Sequence, residues 1–409
     1  MKPSSEHDRR LVAWLSLAQL ISWGSLFYTF ALIMAPAERD LGLSRAQSSL
    51  AFSLALLVEG LLAYPIGRWI DRGHERAVMV GGSVLAGVFL GLHGWVTSLT
   101  GFYLVWAGMG AAMAAVLYAP VFAVVTRRYP HDFRRAIITM TFLGGLASTV
   151  FIPLTASLIS LWDWRTAMVS LAALHWLVCV PVHAMALKQA PKRPLAVESE
   201  GPHAARGVGG HLLSAPFWLI GAFVVLLMGV TVALPAHMVS LLREQGLAEA
   251  WVIAIPASIG AIQVLGRLLL YFFEHHFDLH WANRLIPCLI PLGLVVLLAA
   301  PMAAAWQVWV VLLFVLLYGM GNGMLTIVKG TAMAQYVSRE HVATLNGALG
   351  LPLALARAAA PVLLGLLWTP GSGYTTGVGV LLAVSVAGVA ALILAQRLAL
   401  SRRPRQAPS

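Results

Sequence analysis

Gly67-Arg68-Trp69-Ile70-Asp71-Arg72-Gly73-His74-Glu75-Arg76 is a short basic island at the junction of two apolar runs, 46–70 and 77–98. Each run can cross a hydrocarbon core, which takes about 20 apolar residues in a helix. The island is therefore the connection between two membrane spans. Working outward in both directions, the pattern recurs. Apolar spans read at 11–35, 46–70, 77–98, 100–126, 136–161, 164–187, 214–242, 249–274, 281–302, 306–335, 342–368 and 373–398. The chain is expected to be an all-α integral membrane protein.

Composition agrees. Hydrophobic residues make up 59% of the 409 residues and charged ones 11%, more apolar side chain than a soluble single-core protein needs. The formal charge of +11 invites a nucleic-acid reading, but the distribution argues otherwise. Only Arg39, Arg45, Arg165 and Arg243 fall in loops on one side, and Arg267, Lys329 and Arg357 fall inside spans. Every other Lys and Arg lies on the opposite side, which the positive-inside rule makes cytoplasmic. Both termini are then expected in the cytoplasm and the protein in the inner membrane. Cys179 and Cys288 read as small apolar residues, not a disulfide or zinc pair.

The longest polar stretch, rich in Pro, Gly and charge, divides the spans six and six. It sets the expected boundaries: an N-terminal half over 1–187, a central cytoplasmic linker over 188–213, and a C-terminal half over 214–409. The halves echo each other. Gly42, Leu43 and Ala46 before span 2 match Gly246, Leu247 and Ala250 before span 8, and the same offset sets Glu59 against Gln263. Gly108-Met109-Gly110 in span 4 matches Gly319-Met320-Gly321 in span 10. Parallel repeats with a site at their interface are a transporter architecture.

The island at 67–76 resembles the loop 2–3 signature of the major facilitator superfamily. Its second glycine, Gly73, follows Asp71 by two residues where the family pattern has three. The resemblance implies twelve helices in two pseudo-symmetric six-helix halves. It also implies gating roles: Gly67 allows close helix approach, Asp71 is a latch acid, and Arg72 and Arg76 are its flanking cations. Further stretches resemble the monocarboxylate and oxalate/formate branch: Trp23-Gly24-Ser25, Leu43-Ser44-Arg45-Ala46-Gln47, Trp164-Arg165 and Gln263-Val264-Leu265-Gly266-Arg267. That likeness implies that Arg267 in helix 8 and Arg357 in helix 11 meet an anionic substrate. Some members carry an acid four residues before the helix 8 Arg, where this chain has Gln263. Two features of many proton-coupled drug exporters are missing: Leu104 stands near the place of a helix 4 Arg, and no Gly precedes Pro153 in helix 5.

Charges inside spans are costly and usually face a polar path. Arg267, Lys329 and Arg357, with Gln263, are the candidate substrate-binding set, since Arg can grip a carboxylate with two hydrogen bonds. The competing reading is structural ion pairs or carbonyl contacts, with Lys329 reaching towards the interface. Glu59, the acid well inside a span, either carries a proton or pairs with a cation. His175 and His237 are further proton-coupling candidates, each weighed against a satisfied histidine at a helix contact.

Glu274-His275-His276-Phe277-Asp278-Leu279-His280 suggests a metal, but it occupies the loop 8–9 place of the first-half signature, so no metal is expected. Gly-rich phosphate loops and supported nucleophile motifs are absent from the sequence, and no cofactor is expected. The reading is a secondary transporter and not an enzyme. It is a monomer in the lipid bilayer that moves a small organic anion by alternating access, with protons as the candidate coupling ion. An exporter of a neutral or amphipathic compound is the alternative in the same class. A membrane enzyme or a transport-dead sensor is the alternative outside it.

Overall fold

The computed structural model describes residues 6–128, 133–188, 210–273, 279–338, 345–346 and 348–401. Twelve apolar helical segments run in chain order: α1 (Arg10–Leu41), α2 (Arg45–Trp69), α3 (Arg72–Trp95), α4 (Leu99–Val125), α5 (Thr139–Leu161), α6 (Trp164–Ala186), α7 (Ala215–Glu244), α8 (Glu249–Phe273), α9 (Leu279–Ala299), α10 (Gln307–Tyr336), α11 (Gly350–Leu366) and α12 (Thr375–Ser401). All but α11 lie in stretches long and apolar enough to cross a membrane. Among the described residues the sole β pairing is one isolated bridge, Thr369 to Gly373.

The helix ends follow from local chemistry. Ser44 and Gln47 form a reciprocal cap at the start of α2: Gln47 N donates to Ser44 Oγ (3.2 Å) and Ser44 N to Gln47 Oε1 (2.9 Å). Asp163 caps α6 by accepting from the backbone N–H groups of Arg165 (2.7 Å) and Thr166 (2.9 Å). Its bonds to Thr166, backbone first and then side chain, hold the carboxyl below its ordinary range. Gly42 (φ 65) and Gly246 (φ 80) end α1 and α7 in the left-handed region. Behind them Leu43 N bonds back to Glu38 O, and Leu247 N to Leu242 O. The glycine echo seen in sequence is therefore one helix-ending motif used twice.

Inside the bundle several helices are irregular. Wider π turns occupy Trp23–Tyr28 in α1 and His175–Cys179 in α6. Leu117 is extended (φ −78, ψ −163) and breaks α4. Gln19 Nε2 from α1 donates to the carbonyl of Val116 at that break (2.6 Å). A broken helix survives at membrane depth when protein groups satisfy its freed backbone.

Two compact units emerge from the contacts. One comprises Met1–Ala196, Leu234–Ala261 and Pro361–Leu366; the other comprises Val197–Ala233, Ile262–Ala360 and Leu367–Ser409. The first unit thus includes the last turns of α7, the first turns of α8 and the end of α11. The core of its α1–α6 part is aromatic: Phe30 stacks on Phe52 (4.6 Å between centroids), and Trp106 meets both edge-on.

Glycines set two close helix crossings. A Cβ on Gly110 of α4 would lie 2.2 Å from Ala55 O of α2, and one on Gly323 of α10 would lie 2.2 Å from Gln263 O of α8. This matching contact pairs Ala55 with Gln263. Four residues further along each helix, Glu59 then corresponds to Arg267. The sequence echo had set Glu59 against Gln263, so the offset that holds at the loops drifts by about one helical turn deeper in the bundle.

Candidate functional site

At the end of the first unit near the chain's N-terminus, the island turns through a π segment, Ile70–His74, with Gly73 at φ 89. Gly73 is the glycine its geometry requires. A Cβ on Gly67 would meet nothing within 4 Å among the described residues. The side chain of Asp71 lies outside the described residues. Arg72 is exposed.

An acid engaged here is Glu75, a residue of the island to which the family resemblance assigns no role. Its side chain is fully buried against Arg128, three residues past α4, with Arg128 Nε donating to Glu75 Oε1 (2.7 Å) and Nη2 at 2.5 Å from the same oxygen. Arg128 Nη1 also reaches Ala186 O (3.3 Å), and Arg76 Nε donates to Ala184 O (2.9 Å). Arg76 and Arg128 therefore tie the carbonyls at the end of α6 to α3 and α4. Glu75→Ala should leave a buried guanidinium without its acid, costing about 3 kcal/mol. A lower melting temperature that Arg128→Met largely restores in the double variant is the expected result. Equal losses that simply add would show the pair to be uncoupled.

The opposite, distal end of the same unit is closed by contacts between segments far apart in sequence. Arg45 at the start of α2 bridges Glu38 of α1 (3.0 Å) and Glu244 of α7 (3.2 Å). Ser48 also donates to Glu38. One turn deeper, His237 of α7 lies 3.0 Å from Pro361 O of α11 and 3.4 Å from Ser49 Oγ of α2. The carbonyl can only accept, so Nε2 must carry the hydrogen that reaches it. His237 was a proton-coupling candidate; here it is a fully buried bridge between three helices.

Prolines prepare this closure. Pro361 interrupts the hydrogen-bond ladder of α11, and the neighbouring Val362 N–H turns to Ser53 Oγ of α2 (3.2 Å). Gly365 sits so close that a Cβ there would be 2.5 Å from Ser49 Oγ. In α8, one residue past Pro256, the Thr149 hydroxyl of α5 inserts into the ladder. It donates to Ala257 O (2.7 Å) and accepts from Ala261 N (3.1 Å). Trp164-Arg165, read as a branch signature, braces the same end: Trp164 Nε1 donates to Asp40 (3.0 Å), and Arg165 pairs with Asp40 and donates to Val96 O (2.9 Å).

Midway along the first unit, His175 is buried with Nε2 2.7 Å from Ser25 Oγ, joining the two π turns. Beside the α4 break, Trp23 packs on Tyr118 (4.8 Å), which stacks on Phe122 (5.1 Å). Nothing in the sequence marks this aromatic group, because Trp23 and Tyr118 are 95 residues apart and meet only in the fold. Glu59 is half-buried on α2.

In the second unit Arg267 is half-buried, and its Nε donates to Gly323 O of α10 (3.2 Å). Gln263 is buried at the same crossing. Lys329, six residues beyond Gly323, and Arg357 of α11 are half-buried and close enough for their charges to interact. Helix α10 thus links the members of the expected cationic set, with Arg267 held by a carbonyl at one of its glycines.

The base of this unit is organised around Tyr336, whose hydroxyl accepts from Asn283 Nδ2 (3.0 Å) and Gln396 Nε2 (2.8 Å) and lies 3.1 Å from His280 Nδ1. Positions 274–278 of the histidine-rich loop lie outside the described residues. Among the described residues no group of three or more metal-ligating side chains occurs.

The model of the Major Facilitator Superfamily matches residues 15–361. This chain belongs to that superfamily. It is a multi-pass membrane protein and a secondary transporter, not an enzyme. No curated protein matches it. Among solved structures, the facilitator fold is shared with a bacterial homolog of the human lysosomal transporter Spinster. In its inward-facing and occupied conformation the TM-score is 0.75 at 17% identity, covering 99% of this chain and 100% of that one. The nucleoside transporter NupG gives a TM-score of 0.72 at 14% identity, covering 96% and 100%. At such identities the likeness establishes the facilitator fold and leaves the solute open.

Proposed function

We propose that this transporter carries a small organic anion by alternating access, with its N- and C-termini in the cytoplasm of a bacterial cell and its distal end facing outward. The observation that carries the anion reading is the cationic set on α8, α10 and α11. Lys329 and Arg357 feel each other's charge, and Arg267 is anchored through Nε to Gly323 O. Cations kept close together inside an apolar bundle are stabilised when an anion joins them. A guanidinium can grip a carboxylate through paired N–H groups, which suits Arg267 to an anionic solute. The uneven spread of Lys and Arg supports the orientation.

Glu59 is the group we assign to a coupled proton. It corresponds by helix contacts to Arg267, whereas His175 and His237 are committed to Ser25 and Pro361. The functional unit is the monomer. Export of a neutral or amphipathic compound is the second reading, favoured by the stack of Trp23, Tyr118 and Phe122 beside the broken α4.

Uptake by proteoliposomes distinguishes these readings. Accumulation of a small carboxylate that rises with an imposed pH gradient supports the first. Indifference to every carboxylate, with movement of an uncharged aromatic probe, supports the second.

A further inference from the structure

A groove of about 440 Å³ runs between α1 and α6 on the first unit, within the size range of small-ligand sites. Its walls are apolar: Leu11 and Trp14 on one side, Leu177, Pro181 and Met185 on the other. The sequence gives α6 a reason to part from α1 here. The π turn at His175–Cys179 adds a residue to one turn, and Pro181 follows at once without an N–H to continue the ladder. Leu177 is 76% exposed and Met185 68%, so both apolar side chains are open to a ligand along the groove.

One end of the groove is basic. Arg10 lines it directly, and exposed Lys188 follows Ala186, the last groove residue of α6, by two positions. Arg76 is fixed at the same end by its bond to Ala184 O. An apolar trough with Arg10 in its wall and Lys188 two residues past its last α6 lining residue matches a lipid with acyl chains and a negative head. It does not match a soluble anion, which would gain nothing from Trp14 and Leu177.

We propose that the α1–α6 groove binds one anionic phospholipid, with its head group at Arg10 and Lys188 and an acyl chain along Trp14, Leu177 and Pro181. A cation beside an anionic head group contributes about 1 kcal/mol, or roughly fivefold in affinity. The site therefore discriminates by charge at one end and by shape along its length.

The test is native mass spectrometry of the delipidated full-length protein titrated with phosphatidylglycerol or phosphatidylcholine. Wild type should retain one phosphatidylglycerol more tightly than any phosphatidylcholine. Arg10→Gln with Lys188→Gln should bind it at least about fivefold more weakly. Val178→Trp, which puts an indole into the trough from its α6 wall, should lose the tight site while keeping the wild-type melting temperature. Equal retention of the two lipids by wild type would overturn the proposal, as would undiminished phosphatidylglycerol binding by either variant.

Discussion

Transport of a carboxylate by Arg267→Gln should fall by about ten- to a hundredfold, the range expected for losing a charged hydrogen-bond partner. Insertion and folding should change little. Gln can still donate to Gly323 O, so the α8–α10 crossing keeps its polar tie, while the charge and the second arm of the guanidinium are gone. Arg267→Lys should recover only a small part of the rate. An ammonium anchored on the carbonyl has no planar fork left for the solute. Initial uptake rates in proteoliposomes, normalised to inserted protein, give the answer. Wild-type rates in the Gln variant would remove Arg267 from the site and reduce it to a helix tie.

The second large effect is expected at Arg45. Its side chain is 12% exposed and stands between two acids, Glu38 at 12% and Glu244 at 32%. Arg45→Ala leaves those carboxylates facing each other across the seal. Partial exposure screens them, so the loss is smaller than for a fully buried pair, about 2 kcal/mol. That is roughly a thirtyfold shift away from the closed distal end. The same change leaves Ser49, Ser53 and Thr149 in place, so the helices keep their local caps and the effect falls on the opening equilibrium. Arg45→Lys should shift it less, because one ammonium can still reach one acid.

The features legible in the sequence were those written within single segments. Twelve apolar runs specified the helices because lipid demands internally bonded backbone. Gly42 and Gly246 announced matching helix ends because a left-handed residue favours glycine. The island at 67–76 carried the family. Less legible were roles set by a partner far along the chain. His237 in an apolar span reads either as a titratable group or as a histidine satisfied at a helix contact, and the carbonyl of Pro361 and hydroxyl of Ser49 identify such a contact. Thr149 is an ordinary hydroxyl until Ala257 and Ala261 of α8 close around it.

Glu75 shows the same limit at short range. The family pattern drew attention to Asp71, and burial against Arg128 adds a second acid, Glu75, four residues later. An arithmetic offset also set Glu59 against Gln263, and the glycine crossings match Gln263 with Ala55 instead, each by its own contact. Sequence repeats preserve loops, where turn chemistry is strict. Helices can gain a turn between loop and crossing with little penalty.

Alternating access requires the distal end sealed by Arg45 and His237 to open during the transport cycle. Spin labels on Arg39→Cys and Ala250→Cys, both exposed beside that seal, measure it directly without knowledge of the solute. Cys179 and Cys288 are replaced so that only these positions are labelled. Double electron–electron resonance in lipid nanodiscs should give a short distance from the sealed form and a longer one from the open form. Arg45→Ala should enrich the longer population strongly. A single short distance, the same with and without Arg45, would contradict the account.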